Sequence, residues 1–162
     1  MEFPDKRRVL EQLIESLAAT LAHVTNAAEE IRKDATHEEA KPENDKDTRA
    51  LEQSYLARGQ ALRAESMVEQ LQLLRTFDLP KLRPDDVIQG GALIALEEGE
   101  STRCVFLAPY GGGTGLEVDG QLVTVVTPVS ALGRALLGRH AGDDIDVKVR
   151  NTVRSYSVVK IA

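Results

Sequence analysis

Residues 10–31, LEQLIESLAATLAHVTNAAEEI, decide how the first half of the chain folds. Apolar side chains recur at Leu10, Ile14, Leu17, Leu21, Val24, Ala28 and Ile31 in steps of four and three, while Glu11, Glu15, Glu29 and Glu30 fall outside the stripe. This is a heptad seam, the face that one helix offers another in a coiled coil. Upstream, Pro4 and Asp5 suit a helix start, because the missing proline N–H costs nothing there and an acid complements the positive helix end. Downstream, the period is lost between Asp34 and Asp47 around Pro42, so the first helix is expected to end in this stretch and the chain to turn.

A second helical pattern runs over about Thr48–Phe77, with Ala57, Ala61, Ala64, Val68 and Leu71 at alternating steps of four and three, and stops before Pro80. Small side chains facing large ones predict two close antiparallel helices. Gly59 reads as a tolerated surface glycine, at a cost of about 1 kcal/mol relative to alanine. Helices of roughly 28 to 30 residues make a rod about 40 to 45 Å long.

After Pro80 the heptad gives way to alternation. Strands are expected near Val87–Leu96, Thr102–Ala108, Leu122–Val126, Ile145–Val149 and Val153–Ile161. Glu97 to Glu100 and Asp119-Gly120 are turn signals, and Gly111 to Gly115 reads as a flexible connection. Ser130 is an N-cap candidate for a short helix through Leu137 that Gly138 ends. The expected fold is therefore α+β in two domains, a helical hairpin over 1–79 with its tip at about 35–47, and an antiparallel sheet with a short helix over 80–162.

Composition narrows the function. The chain has 162 residues, a net charge of −6 and 42% apolar residues, and neither half is large enough to enclose a sizeable substrate pocket. No apolar run approaches the roughly 20 residues of a membrane span, and the N-terminus lacks the basic-then-apolar order of a signal peptide, so a soluble, cytoplasmic protein is expected. Residues 1–80 hold 11 basic and 16 acidic side chains, and residues 81–162 hold 9 and 10. Such a chain has no electrostatic grip on bare duplex, so contact with nucleic acid must be local or arranged by a partner. Cys104 has no second cysteine and sits in an apolar run, which makes it a core thiol.

Most chemical motifs are missing. The glycine run lacks the Gly-Lys-Ser/Thr ending of a phosphate loop, His23, His37 and His140 have no neighbours at metal-ligand spacing, and no nucleophile elbow is present. What remains is the acidic group Glu38, Glu39, Glu43, Asp45 and Asp47 at the hairpin turn. Hard divalent cations take such oxygen ligands, and Mg²⁺ often needs only one or two of them from protein. A charge run at a hairpin end can equally be solvated.

The run Thr127-Pro128-Val129-Ser130-Ala131-Leu132-Gly133-Arg134-Ala135-Leu136-Leu137-Gly138, followed by Gly142-Asp143-Asp144-Ile145-Asp146-Val147 and by the closing Ser155-Tyr156-Ser157-Val158-Val159-Lys160-Ile161, resembles the Gre-type (GreA/GreB) transcript cleavage factors of bacterial RNA polymerase. The resemblance extends to the order of the halves, hairpin first. It implies an FKBP-like second domain that docks at the polymerase secondary channel, and a coiled coil whose tip carboxylates reach the active centre and help cut backtracked transcripts. Such a protein is not an enzyme alone and has no cofactor of its own. The Mg²⁺ would be the polymerase's, reached through Glu43.

Carried over by residue, the family's tip pattern Asp-Leu-x-Glu-Asn-Ala-Glu-Tyr falls on Ala40-Lys41-Pro42-Glu43-Asn44-Asp45-Lys46-Asp47. Glu43 and Asn44 match, and the family's first Asp falls on Ala40. A second carboxylate would come from Asp45, Asp47 or Glu39. Thr127 and Pro128 match the family's Ser-Pro docking segment. Arg49, Arg58 and Arg63 on the second helix could meet transcript phosphates, or stay solvated or paired with Glu. RNA polymerase is the implied partner, with nascent RNA and DNA met only inside its complex, no membrane, and a monomeric state. Other readings are a channel regulator that does not promote cleavage, a prolyl isomerase or chaperone, which the fold also hosts, and a coiled-coil adaptor.

Overall fold

The computed structural model describes residues 1–39 and 47–162, with the backbone alone for 35–39 and 47. Helix α1 spans Lys6–Glu39 and α2 spans Asp47–Arg75. Then come β1 (Leu93–Glu98), β2 (Ser101–Leu107), β3 (Gly115–Val118), β4 (Gln121–Val126), helix α3 (Ala131–Leu136), β5 (Asp144–Val149) and β6 (Thr152–Ile161). The chain divides into two compact units, one made of residues 1–14 with 76–162 and the other of residues 15–75. Helix α1 therefore contributes its first turns to the sheet unit and the rest to the hairpin.

Asp5 is the cap of α1, accepting from the Arg8 N–H at 2.9 Å, so Pro4 lies just before the helix and not in its first turn. The helix also runs through Asp34 to Glu39, past the point where its apolar period fades. Residues such as Glu38 and Glu39 form helix readily without a buried face, and loss of the stripe does not end a helix. In the hairpin unit, Leu17, Leu21, Ala28 and Ile31 are partly covered and Val24 is buried, as the seam requires.

The seam of α2 differs from the expected one. Its covered positions include Ala50, Gln53, Ala57, Gln60, Ala64, Met67, Leu71 and Leu74, in alternating steps of three and four, with Gln70 partly covered outside that row, while Ala61 and Val68 are exposed. Two glutamines occupy seam positions, which a search for apolar spacing passes over. Nor do the alanines produce a filled interface. A groove of about 290 Å³ lined by Thr25, Ala28, Glu29, Arg32, Ala57, Ala61 and Ala64 runs between the helices, because alanine is too short to reach across.

The sheet has the order β3-β4-β2-β1-β6-β5. Four pairings are antiparallel, but β2 and β4 run parallel, with Cys104 opposite Val123 and Phe106 opposite Val125, so the sheet is mixed and not purely antiparallel. The strand missed from sequence, β3, explains this. It pairs with β4 through a tight Asp119-Gly120 turn, both residues at positive φ (53° and 75°), so β4 returns alongside β2 in the same direction. The glycine run before β3 is a built turn and not a slack connection, since the Gly113 N–H donates to Val125 O at 2.8 Å and Thr114 N–H to Gly111 O at 3.1 Å.

Strand β1 is central, and its run Leu93-Ile94-Ala95-Leu96 is buried on both faces. On one face Ile94 and Leu96 join Val105, Leu107, Leu136, Ile145, Val147, Tyr156 and Val158 in a single core beneath α3. On the other, Leu93, Ala95, Cys104, Phe106, Val123 and Val125 are equally buried, and the same unit holds the buried Val9, Leu10 and Leu13 of α1. The N-terminus is tied to this unit by polar contacts. Asp119 accepts from the Asp5 N–H and pairs with Arg8, Gln121 donates to Glu2 O, and the Lys160 ammonium lies 5.2 Å from the Phe3 ring centre.

Burial pushes the Cys104 thiol up to about 11, because the thiolate would lose its water. The folded state thus favours the neutral thiol. Its contribution to stability is whole below the free-thiol value of about 8.5 and is lost as pH rises toward the folded value. Denaturation across this alkaline range is expected to show wild type losing stability more steeply than Cys104→Val, and parallel curves would contradict the assignment.

Candidate functional site

The expected site residues fall in both units. At the end of the hairpin, Glu43 and Asp45 lie outside the described residues, and Asp47 is the first residue of α2. An acidic residue type at a helix start is also favoured by the helix dipole, so the position gives Asp47 a reason to be there besides ligation. Among the described residues no group of three or more His, Cys, Asp or Glu side chains could hold a metal ion.

Arg49, Arg58 and Arg63 of α2 are all exposed, but they do not form one patch. Arg49 and Arg63 are fourteen residues apart, which returns them to within about 40° of each other around the helix; Arg58 is nine residues from Arg49, about half a turn away. Arg49 lines a shallow groove with Glu52, Gln53 and Leu56. The Gln53 Oε1 is buried there with no hydrogen-bond partner among the described residues.

Thr127 and Pro128 begin a turn that α3 holds in place. The Thr127 carbonyl accepts from the Ser130 N–H at 3.0 Å and from the Ser130 hydroxyl at 2.8 Å, and the hydroxyl oxygen in turn accepts from the Gly133 N–H at 3.0 Å. Ser130 thus caps the helix and fixes the turn with one oxygen. At the far end, Gly138 has φ +74°, its N–H donates to Ile88 O, and Ile88 N–H donates to Arg139 O, tying the helix end to the chain before β1. Thr127 and Pro128 are only partly exposed, whereas Val129 between them and the cap is 77% exposed. Sequence reasoning missed Val129 because an apolar residue beside a short helix reads as core.

A second polar cluster was also missed. On β5 and β6, the Ser155 hydroxyl donates to Asp146 and the Ser157 hydroxyl to Asp144, both at 2.6 Å, and Glu98 accepts from Arg103 at 2.6 Å and Arg154 at 2.9 Å. Arg103 also lies over the Tyr156 ring, 5.5 Å from its centre. The signal was present as two alternating pairs, Asp144 with Asp146 and Ser155 with Ser157, which antiparallel pairing sets opposite one another. These bonds satisfy the carboxylates across the strands.

No protein-family model matches the chain. Transcription elongation factor GreA of Syntrophus aciditrophicus (strain SB) is 29% identical over 122 residues, covering 74% of this chain and 69% of that protein. Among solved structures, GreA factor homolog 1 of Thermus thermophilus aligns at 21% identity and a TM-score of 0.37, covering 92% of this chain and 94% of its own. Gfh1 of Thermus aquaticus gives 20% and 0.38, covering 91% and 92%. At these scores the fold rests on the helices and strand order given above. The GreA match supports the Gre-type resemblance read from the sequence.

A Cβ on Gly133 would lie 2.0 Å from the Thr127 carbonyl oxygen, so alanine there must displace the Thr127-Pro128 turn. Gly133→Ala is expected to cost about 2 kcal/mol or more, and Ser130→Ala about 1 kcal/mol, in urea unfolding. Equal stability of Gly133→Ala and wild type would show that the turn is not held as described.

Proposed function

We propose that this chain, a Gre-type transcription elongation factor, docks on bacterial RNA polymerase at the secondary channel and brings its hairpin end toward the active centre, where it stimulates cleavage of backtracked transcripts. The observation that carries this reading is the 29% identity to a protein named GreA over 122 residues. The order of a helical hairpin followed by a sheet unit is consistent with it.

The chemistry would belong to the polymerase. In two-metal phosphoryl chemistry one ion activates the attacking oxygen and the other steadies the leaving one, and what a partner can add is oxygen ligands and a well-placed water. Glu43, with Asp45 or Asp47, has the hard donor atoms that Mg²⁺ prefers. The net −5 of residues 1–80 attracts a cation centre and is repelled by free RNA, so contact with transcript would be arranged by the polymerase. Arg49 and Arg63 share a helix face and could act together on transcript phosphates, with Arg58 acting separately. Docking is assigned to Thr127, Pro128 and the exposed Val129. The protein would act in the cytoplasm; among the described residues no helix is long and apolar enough to cross a membrane.

Ala40, where the family pattern has Asp, favours a second reading, a channel regulator that does not promote cleavage. A stalled, backtracked polymerase separates the two. Wild type is expected to shorten the transcript, and Glu43→Ala to slow shortening by about tenfold or more. Binding without shortening selects the regulator, and failure to bind polymerase overturns both.

A further inference from the structure

Helix α2 carries two apolar faces of different period. The covered seam repeats every seven residues, whereas on the outer surface Leu51, Leu62 and Leu73 recur every eleven and are 56%, 56% and 52% exposed. Eleven residues are close to three whole turns, so the leucines stay within about 40° of one line over about 33 Å of helix. Tyr55, one turn beyond Leu51, is 65% exposed on the same line. Arg58, Glu65 and Glu69, all exposed, fall within about 40° of it as well. The face therefore interleaves evenly spaced leucines with charges of both signs, an arrangement that a second helix can meet in register.

We propose that this face binds the same face of a second copy of the chain, antiparallel, with the two-fold axis at Leu62. The charges select both the partner and the direction. In a parallel pair Arg58 would face Arg58, and Glu65 and Glu69 would each face themselves. Antiparallel alignment about Leu62 instead stacks Leu62 on Leu62 and sets Leu51 of each copy against Leu73 of the other. It brings Tyr55 opposite Glu69, where the phenol can donate to the carboxylate, and seats Arg58 between Glu65 and Glu69. Arg58, Glu65 and Glu69 thereby meet an opposite charge across the axis, which is the self-complementarity a two-fold interface requires. Four apolar side chains per copy make a small interface, so the chain is monomeric when dilute and pairs as its concentration rises.

Sedimentation of the full chain at increasing concentration, to about 0.5 mM, tests this. Wild type is expected to pass from monomer to dimer, and Leu62→Glu, which sets two carboxylates face to face on the axis, to weaken pairing by about tenfold or more. Circular dichroism of Leu62→Glu checks that its helices persist. Cysteine variants read the direction without interference from the buried Cys104. With oxidised glutathione as the two-electron oxidant, Leu62→Cys should give a disulfide-linked dimer, and Leu51→Cys should cross-link with Leu73→Cys in a mixture but not with itself. A chain that stays monomeric throughout, a folded Leu62→Glu that still pairs, or self-linking of Leu51→Cys would overturn the proposal. A monomeric chain whose folded Leu62→Glu variant loses purified RNA polymerase would overturn it too, and assign the face to the polymerase.

Discussion

The hairpin depends on the seven-residue recurrence along α2 that sets Ala50, Ala57, Ala64 and Leu71 in one row of the seam and Gln53, Gln60, Met67 and Leu74 in the other. The register is strict, but the content is weak. Alanine buries little area per turn, and glutamine in a seam must be desolvated; the Gln53 Oε1 has found no partner among the described residues. Polar residues at such positions fix register at a cost in stability. The large side chains Met67, Leu71 and Leu74 gather at the C-terminal end of α2, so the strength of the seam rises toward that end. The alanine-lined groove lies among residues 25–32 and 57–64, where the knobs are smallest.

The sheet unit is built on the opposite terms. Strand β1 is buried on both faces, every core position is apolar, and no polar or charged side chain of the described residues is fully buried. The capped α3 holds the Thr127-Pro128 turn through the Ser130 N–H and hydroxyl, and the end of α3 is tied by Gly138 to Ile88 before β1. The first fourteen residues of the chain fold with this unit, and α1 continues from it into the hairpin as one uninterrupted helix. The proposed function calls for a rigid base, and the dense burial and closed turns of the sheet unit favour one.

Much of this is legible in the residues, and the failures have physical causes. The seam of α1 is plain because Leu17, Leu21, Val24 and Ile31 differ sharply from their neighbours. The seam of α2 is easily misread because alanine is as common on an exposed helix face as on a covered one. Apolar spacing selects Ala61, whereas the covered row runs through its neighbour Gln60. Strand β3 escapes notice as four residues behind a glycine run, and without it the parallel pairing of β2 and β4 cannot be foreseen, since a local pattern carries no strand direction. Ser130 as a cap is readable from residue type alone. The exposure of Val129 is not, because it follows from the turn's geometry. The outer leucines of α2 are hidden by their period, eleven and not seven.

The proposed function requires residues 40–46 to reach the polymerase active site. Imaging the chain bound to a backtracked bacterial RNA polymerase by single-particle electron microscopy tests that claim most directly. The account predicts hairpin density inside the secondary channel with Glu43 beside the catalytic Mg²⁺. Density for the chain on another surface of the polymerase, with the channel open, would contradict it.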